Sequence, residues 1–309
     1  MKYRVLGKTG LRVSVIGMGT WQLGGEWGKN FEQGEVTAMF RRARELGINF
    51  IDTAECYGDH ESERLIGGAL KELGARGEFL IATKFGHKFE GNFQRSEPRT
   101  GKDVERQLED SLRALETDHI DLYQYHSVRD SEFFAEDVRA VLEKAKQAGK
   151  IVHIGNSIGA GTKTAVQIEA SGKMQVEAIQ LVYNRLARKA EDLFFPVCER
   201  MKLGVLARVP LASGFLSGKY KPGTTFGPND VRGAMMKEGA EERLREVEKI
   251  AREEVPAGLS MAQWALAWCL RSPAVQCVIP GCKSVEQVEA NAAAGELALV
   301  DGKHPWAAR

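Results

Sequence analysis

Eight times along 309 residues, a short run rich in Val, Ile, Leu or aromatic side chains gives way to a loop. A helix-length stretch with apolar residues every three or four positions then follows. The runs lie at 13–18, 48–52, 79–84, 120–126, 151–157, 178–182, 204–209 and 276–280. The helical stretches lie near 34–46, 61–73, 101–116, 135–148, 161–171, 188–202, 240–270 and 284–294, the seventh interrupted around Pro256 and Gly258. Strands that alternate with helices pair in parallel, because each helix carries the chain back across the sheet before the next strand begins. Eight such units in a chain of this length predict an α/β fold, a closed (β/α)8 TIM barrel. Segments 3–6 and 11–13 around Gly7, Lys8, Thr9 and Gly10 read as an N-terminal β-hairpin that plugs the bottom of the barrel. Gly47 and Gly149 read as residues that end helices, and Ser260 as an N-cap. No composition shift or linker divides the chain, so residues 1–309 read as a single domain. The loops at 86–100 and 210–233 exceed the usual α/β connection and fall on the side where barrels build their sites.

Four ionisable residues stand at or just past the ends of three consecutive runs: Asp52 and Tyr57 after the second, Lys84 on the third and His126 on the fourth. Taken singly, each has an ordinary reading. An Asp there caps a helix, a Lys snorkels to solvent, a Tyr-Gly pair is a loop, and a His sits satisfied in the core. Together they put a carboxylate, a phenol, an ammonium and an imidazole on one rim of one sheet. That is a proton-transfer site.

Lys plus Arg (43) balance Asp plus Glu (42) at a formal charge of +1, so no global field draws the chain to nucleic acid or an anionic membrane. No apolar leader or membrane-length stretch is present, and five cysteines without a C-x-x-C pair suit a reducing compartment and give no zinc signature. The expectation is a cytoplasmic protein, monomeric or a small homo-oligomer, acting on a small molecule. Gly17-Met18-Gly19 lacks the third glycine of a dinucleotide fingerprint, and Gly7-Lys8-Thr9 lacks the upstream glycine of a P-loop.

The motifs GMGTWQLGG (17–25), NFIDTAECYG (49–58), TKFG (83–86), DLYQYHS (121–127), IGNS (154–157), AIQLVYN (178–184), PLASGFLSGKY (210–220) and IPGCKSVEQVEAN (279–291) run nearly the length of the chain. Through them the sequence resembles the aldo-keto reductases. The resemblance implies an eight-stranded barrel that binds NADPH and reduces aldehydes or ketones, with Tyr57 as general acid among Asp52, Lys84 and His126. The chemistry suits those residue types. Hydride addition to a carbonyl builds negative charge on oxygen that a proton must meet. An ammonium at Lys84 is expected to acidify the phenol, Asp52 to keep that ammonium charged, and His126 to orient the carbonyl.

Cofactor contacts carry over in the same way. Gly19, Thr20 and Trp21 open the site, while Ser157 and Gln180 end strands where they can bind the nicotinamide amide. Asn184 supports the same turn. Pro210, Leu211, Ser213, Leu216, Ser217 and Lys219 form the loop that lies across the pyrophosphate. Gly281 leads into a helix start where Lys283 and Ser284 suit a 2′-phosphate, favouring NADPH, and Gln287 and Asn291 face the adenine. The chain departs from the family pattern at Arg208, where many members stack an aromatic ring; a contact of Arg208 with a carboxylate or cofactor phosphate is expected instead. It departs also at Ile158 and Ala290, which replace polar residues. Trp21, Trp27, Phe85 and Tyr125 are candidate pocket walls, and His87, Lys88 and Arg129 candidate polar contacts. The tail after residue 294 is short for a substrate lid. Two other classes stay in view: a cofactor-binding regulatory or auxiliary protein with little turnover, and an aldolase-type enzyme using Lys84 as a Schiff-base nucleophile, which needs a neutral amine.

Overall fold

A computed structural model describes residues 1–221, 223–227, 230–235 and 239–297. Eight strands form one sheet: β1 (Met18–Gly19), β2 (Phe50–Asp52), β3 (Leu80–Phe85), β4 (Ile120–His126), β5 (Ile151–Ser157), β6 (Val176–Val182), β7 (Gly204–Arg208) and β8 (Cys277–Val278). Each pairs in parallel with the next. The two edges meet through parallel bridges from Ile16 to Val278 and from Gly19 to Gly281, where Gly17 N donates to Val278 O at 2.8 Å and Gly19 N to Pro280 O at 3.0 Å. The sheet is thus closed, as the alternation predicts.

Besides short turns of helix at Asp130–Phe133, Ala190–Leu193 and Arg232–Met235, the helices among the described residues are α1 (Gln33–Glu45), α2 (Glu61–Leu73), α3 (Gly101–Ala114), α4 (Glu136–Gln147), α5 (Val166–Glu169), α6 (Phe195–Arg200), α7 (Ala240–Glu253), α8 (Met261–Leu270) and α9 (Val285–Ala294). Their logic is plainest in α3. Thr100 Oγ1 accepts from Asp103 N while the Asp103 carboxylate accepts from Thr100 N, and Val104, Leu108 and Leu112 turn one apolar stripe inward. Thr100→Ala is expected to lower the unfolding free energy by about 1 kcal/mol, read by urea denaturation. No change would mean that the cap is redundant.

The hairpin forms as expected, Tyr3–Val5 pairing with Arg12–Ser14. Its Leu6 and Val13 are fully buried among Phe50, Ala82, Leu122, Ala178, Leu206 and Cys277, the side chains that fill the barrel interior. Gly204 makes the room: a Cβ there would lie 2.5 Å from Leu6 Cγ. Arg4 fastens the plug by donating to the carbonyls of Leu270, at 2.9 Å, and Val275.

Several boundaries differ from the sequence reading. The run at 13–18 is divided, because Val13 and Ser14 are drawn into antiparallel pairing with Arg4 and Tyr3, and the barrel strand begins only at Met18. The stretch at 161–171 is α-helical only over Val166–Glu169, after Gly159 and Gly161. The 188–202 stretch divides at Phe194, where Pro196, lacking an N–H, starts α6. The loop at 86–100 holds a hairpin of its own, Lys88–Gly91 with Gln94–Ser96. Gly47 and Gly149 do have left-handed backbones, at φ 76° and 73°. Ser260 stands at the start of α8 without a side-chain cap bond. Parts of 210–233, and residues 298–309 of the expected short tail, lie outside the described residues.

Candidate active site

Because all eight strands run the same way, their C-terminal ends share one rim. Lys84, wholly buried on β3, donates from Nζ to Asp52 Oδ2 at 2.8 Å, to Thr53 O at 2.6 Å and to Tyr57 OH at 3.4 Å. The other Asp52 oxygen accepts from Gln180 Nε2 at 2.5 Å and from Gln124 Nε2 at 3.3 Å, and Gln180 Oε1 in turn accepts from Ser157 Oγ at 3.0 Å. Tyr57 is held between aromatic neighbours, stacked on Trp21 at 5.9 Å and edge-on to His126 at 6.2 Å. The turn carrying it sits close because Gly24 has no side chain; a Cβ there would come within 2.5 Å of Tyr57 C.

Burial pushes the Tyr57 phenol up to about 12, and the ammonium of Lys84 only partly opposes it. This reverses the direction expected from sequence, where the cation was to acidify the phenol: removal of the phenolate from water outweighs one charge 3.4 Å away. A difference titration of the wild type against Tyr57→Phe, read at the phenolate absorbance, should therefore show this group neutral until pH approaches about 12. Ionisation near 10, the ordinary value, would show that Lys84 prevails. Burial also works against the Lys84 ammonium, yet the Asp52 carboxylate more than compensates and raises its pKa. Lys84 is thus charged near neutral pH and lacks the free electron pair that Schiff-base chemistry requires. Burial, followed by the charge of His87 and Lys84, holds His126 well below its ordinary range, so its imidazole is neutral. The rim offers a neutral phenol, a fixed cation and a neutral imidazole.

Above it opens a cleft of about 770 Å³. Asp52, Tyr57 and His126 reach it, as do Gly19, Thr20, Trp21, Gln180 and Arg208. The following loop adds Pro210, Leu211, Ser213, Ser217 and Lys219, and the segment into α9 adds Gly281, Lys283, Gln287 and Asn291. Lys84, Ser157, Leu216 and Ser284 are not in the lining. Lys84 and Ser157 lie beneath it, Leu216 is turned into the core, and Ser284 caps α9 by accepting from Gln287 N at 3.4 Å. Arg208 meets no carboxylate: it donates to Ile158 O at 3.0 Å, and its Nε has no partner among the described residues. Among the suggested walls, Trp21 and Trp27 line the cleft, whereas Phe85 and Tyr125 pack into the core against Tyr123 and Phe133. His87 also lines it. Lys88 is instead paired with Glu90, and Arg129 with Glu97 and Glu132.

Sequence reasoning missed several lining residues. Glu26, fully buried, accepts from Arg95 at 2.5 Å, from Trp21 Nε1 at 3.0 Å and from Phe93 N at 2.7 Å, so it ties the Trp21 turn to the 88–96 hairpin. Arg232 donates to the Asp230 carboxylate and to Tyr220 OH. Neither has a local motif: Glu26 depends on Arg95 and Phe93 from another loop, and Arg232 on a fold of its own loop that returns Tyr220 to it.

The lining suits an elongated anionic dinucleotide. Lys219, Lys283 and Arg232 supply positive charge, and Trp21 and Tyr57 an aromatic surface. Two buried polar atoms on lining residues, Gln22 Oε1 and Arg208 Nε, have no partner among the described residues. The ten-residue helix α9 directs its first-turn N–H groups toward the segment holding Lys283.

The model of the Aldo/keto reductase family matches residues 15–305, and the chain belongs to that family. Its members are oxidoreductases of small carbonyl compounds that use nicotinamide cofactors. Aldo-keto reductase YhdN of Bacillus subtilis is 32% identical over 298 residues, 94% of this chain and 87% of that protein. A probable voltage-gated potassium channel subunit beta of Arabidopsis thaliana is 30% identical over 306 residues, 94% and 90% of the two chains. Among solved structures, an aldo-keto reductase from Bacillus halodurans in holo form superposes with a TM-score of 0.81 at 30% identity, covering 99% of this chain and 95% of its own. A glycerol dehydrogenase from Gluconobacter oxydans gives 0.80 at 29%, covering 97% and 91%. No helix among the described residues is long and apolar enough to cross a membrane.

Proposed function

We propose that this chain, acting as one domain, is an NADPH-dependent reductase that converts small aldehydes or ketones to alcohols, with Tyr57 as the general acid. The observation that carries this reading is the buried Lys84, which bridges Asp52 and Tyr57 at the foot of the cleft. When bound, a reduced nicotinamide supplies hydride to the carbonyl carbon. Charge then gathers on the carbonyl oxygen, and the Tyr57 O–H donates its proton there. The phenolate left behind is stabilised by Lys84 Nζ. Asp52 keeps Lys84 charged, while Gln124 and Gln180 hold Asp52 in place. His126, neutral, orients the carbonyl through a ring N–H. Ser157 works through Gln180. Gly19, Thr20, Trp21 and Arg208 flank the reacting end of the cofactor. Pro210, Leu211, Ser213, Ser217 and Lys219 would cover its pyrophosphate, with Leu216 anchoring that loop in the core, and Gly281, Lys283, Gln287 and Asn291 would take the adenosine half, with Ser284 capping the helix beside them.

The expected result is loss of reduced-nicotinamide absorbance with a panel of aldehydes and ketones. Lys283→Ala should raise the apparent KM for NADPH about ten-fold or more, the loss of one charged hydrogen bond, and leave that for NADH nearly unchanged. Equal losses for both would remove the 2′-phosphate assignment. A second reading, a cofactor-binding auxiliary protein, draws on the potassium-channel beta relatives. Tight cofactor binding without turnover on any carbonyl would favour it.

A further inference from the structure

We infer that Glu55, Cys56 and His126 form a binding site for a thiophilic divalent cation, Zn²⁺ or Cd²⁺, in the floor of the cleft. Glu55 and Cys56 lie on the turn after β2, and His126 ends β4, so the barrel itself brings the three together. A carboxylate oxygen, the thiol sulfur and a ring nitrogen all lie within 4.8 Å of one another. Cys56 Sγ is 3.8 Å from His126 Nδ1. A tetrahedral zinc ion with ordinary Zn–S and Zn–N bonds sets those atoms about 3.6 Å apart, so this pair stands close to ligating distance. The longest separation exceeds such spacing by little more than about 1 Å, a reach that side-chain torsions cover.

A second observation is independent of the cluster. The Glu55 side chain is buried, at 2% exposure; its Oε1 accepts from His87 N at 3.0 Å, but Oε2 has no partner among the described residues. A buried carboxylate oxygen left unmatched needs a donor or a cation. Cys56 and His126 both line the cleft and give the ion a path in, with a fourth coordination position facing the open space. On binding, the thiol and the Glu55 carboxyl, which burial holds well above its ordinary range, release their protons to solvent; the thiolate forms the metal–sulfur bond, and carboxylate and thiolate together neutralise the dication. Of the nearby cations, Arg95 is paired with Glu26 and Lys84 with Asp52, whereas Arg208 is bonded to the Ile158 carbonyl. Sulfur and imidazole ligands select a soft or borderline ion over Mg²⁺ or Ca²⁺. The site shares His126 with the reductase reading, but none of its three ligands depends on cofactor being bound.

The test is titration of the full-length protein, without cofactor, with CdCl₂, followed by the ultraviolet thiolate-to-Cd²⁺ charge-transfer band. The expected result is a band that saturates at one equivalent, is displaced by ZnCl₂ and is lost in Cys56→Ser. Glu55→Gln should bind at least about ten-fold more weakly. Cys56→Ala replaces the serine variant if that one fails to fold by circular dichroism. No band in the wild type, a band that needs large excess metal, a band retained without the Cys56 thiol, or undiminished affinity in Glu55→Gln would each overturn the proposal. None of these outcomes bears on carbonyl turnover, so the two readings fail separately.

Discussion

Tyr57→Phe lowers the rate of carbonyl reduction by about 10²–10⁴-fold, the usual contribution of a placed general acid, while cofactor affinity changes little. The substitution isolates the hydroxyl: a phenylalanine ring keeps the stacking on Trp21 and the edge contact with His126. Turnover is read from reduced-nicotinamide absorbance, binding from cofactor fluorescence. A loss of less than ten-fold would return the acid role to His126, whose ring stands edge-on to Tyr57 in the cleft.

The second large effect is on stability. Lys84→Met should reduce the unfolding free energy by about 3–5 kcal/mol, because it leaves the buried Asp52 carboxylate without its cation. Two amide donors, Gln124 and Gln180, remain on that carboxylate and temper the loss. The double variant Asp52→Asn with Lys84→Met, which leaves no buried charge in the pair, should recover part of it in urea denaturation. A loss under about 1 kcal/mol in the single variant would show that the pair matters little to folding. The pH dependence has a definite sign. The Lys84 pKa is raised in the folded state, so its contribution is complete below the unfolded value of about 10.4 and disappears only as pH rises through the folded one. Neutral-pH measurements therefore report the intact pair.

The barrel was legible because apolar periodicity and strand length repeat eight times, and because β-then-α order leaves one hand and one pairing. The rim was legible for the same reason: Asp52 and His126 end their strands, and Lys84 stands one residue short of the end of its own. What stayed hidden depends on distance in sequence. Glu26 with Arg95 is a pairing between loops, and Arg232 with Tyr220 one within a long loop, with no periodicity to announce either. The hairpin at 88–96 carries a local cue in Gly91-Asn92, but exposed polar strands resemble an unstructured loop. Electrostatic direction was harder still. The residues reveal a phenol beside an ammonium; only the depth of Tyr57 shows that desolvation prevails.

The plug at the foot of the barrel has a bearing on biogenesis. Leu6 and Val13 leave the ribosome long before Leu270 and Val275, whose carbonyls receive Arg4. At about 5–20 residues per second, roughly a quarter of a minute to a minute separates the two events. Throughout that interval Arg4 lacks those two acceptors, so the plug is fastened only once most of the barrel has been made.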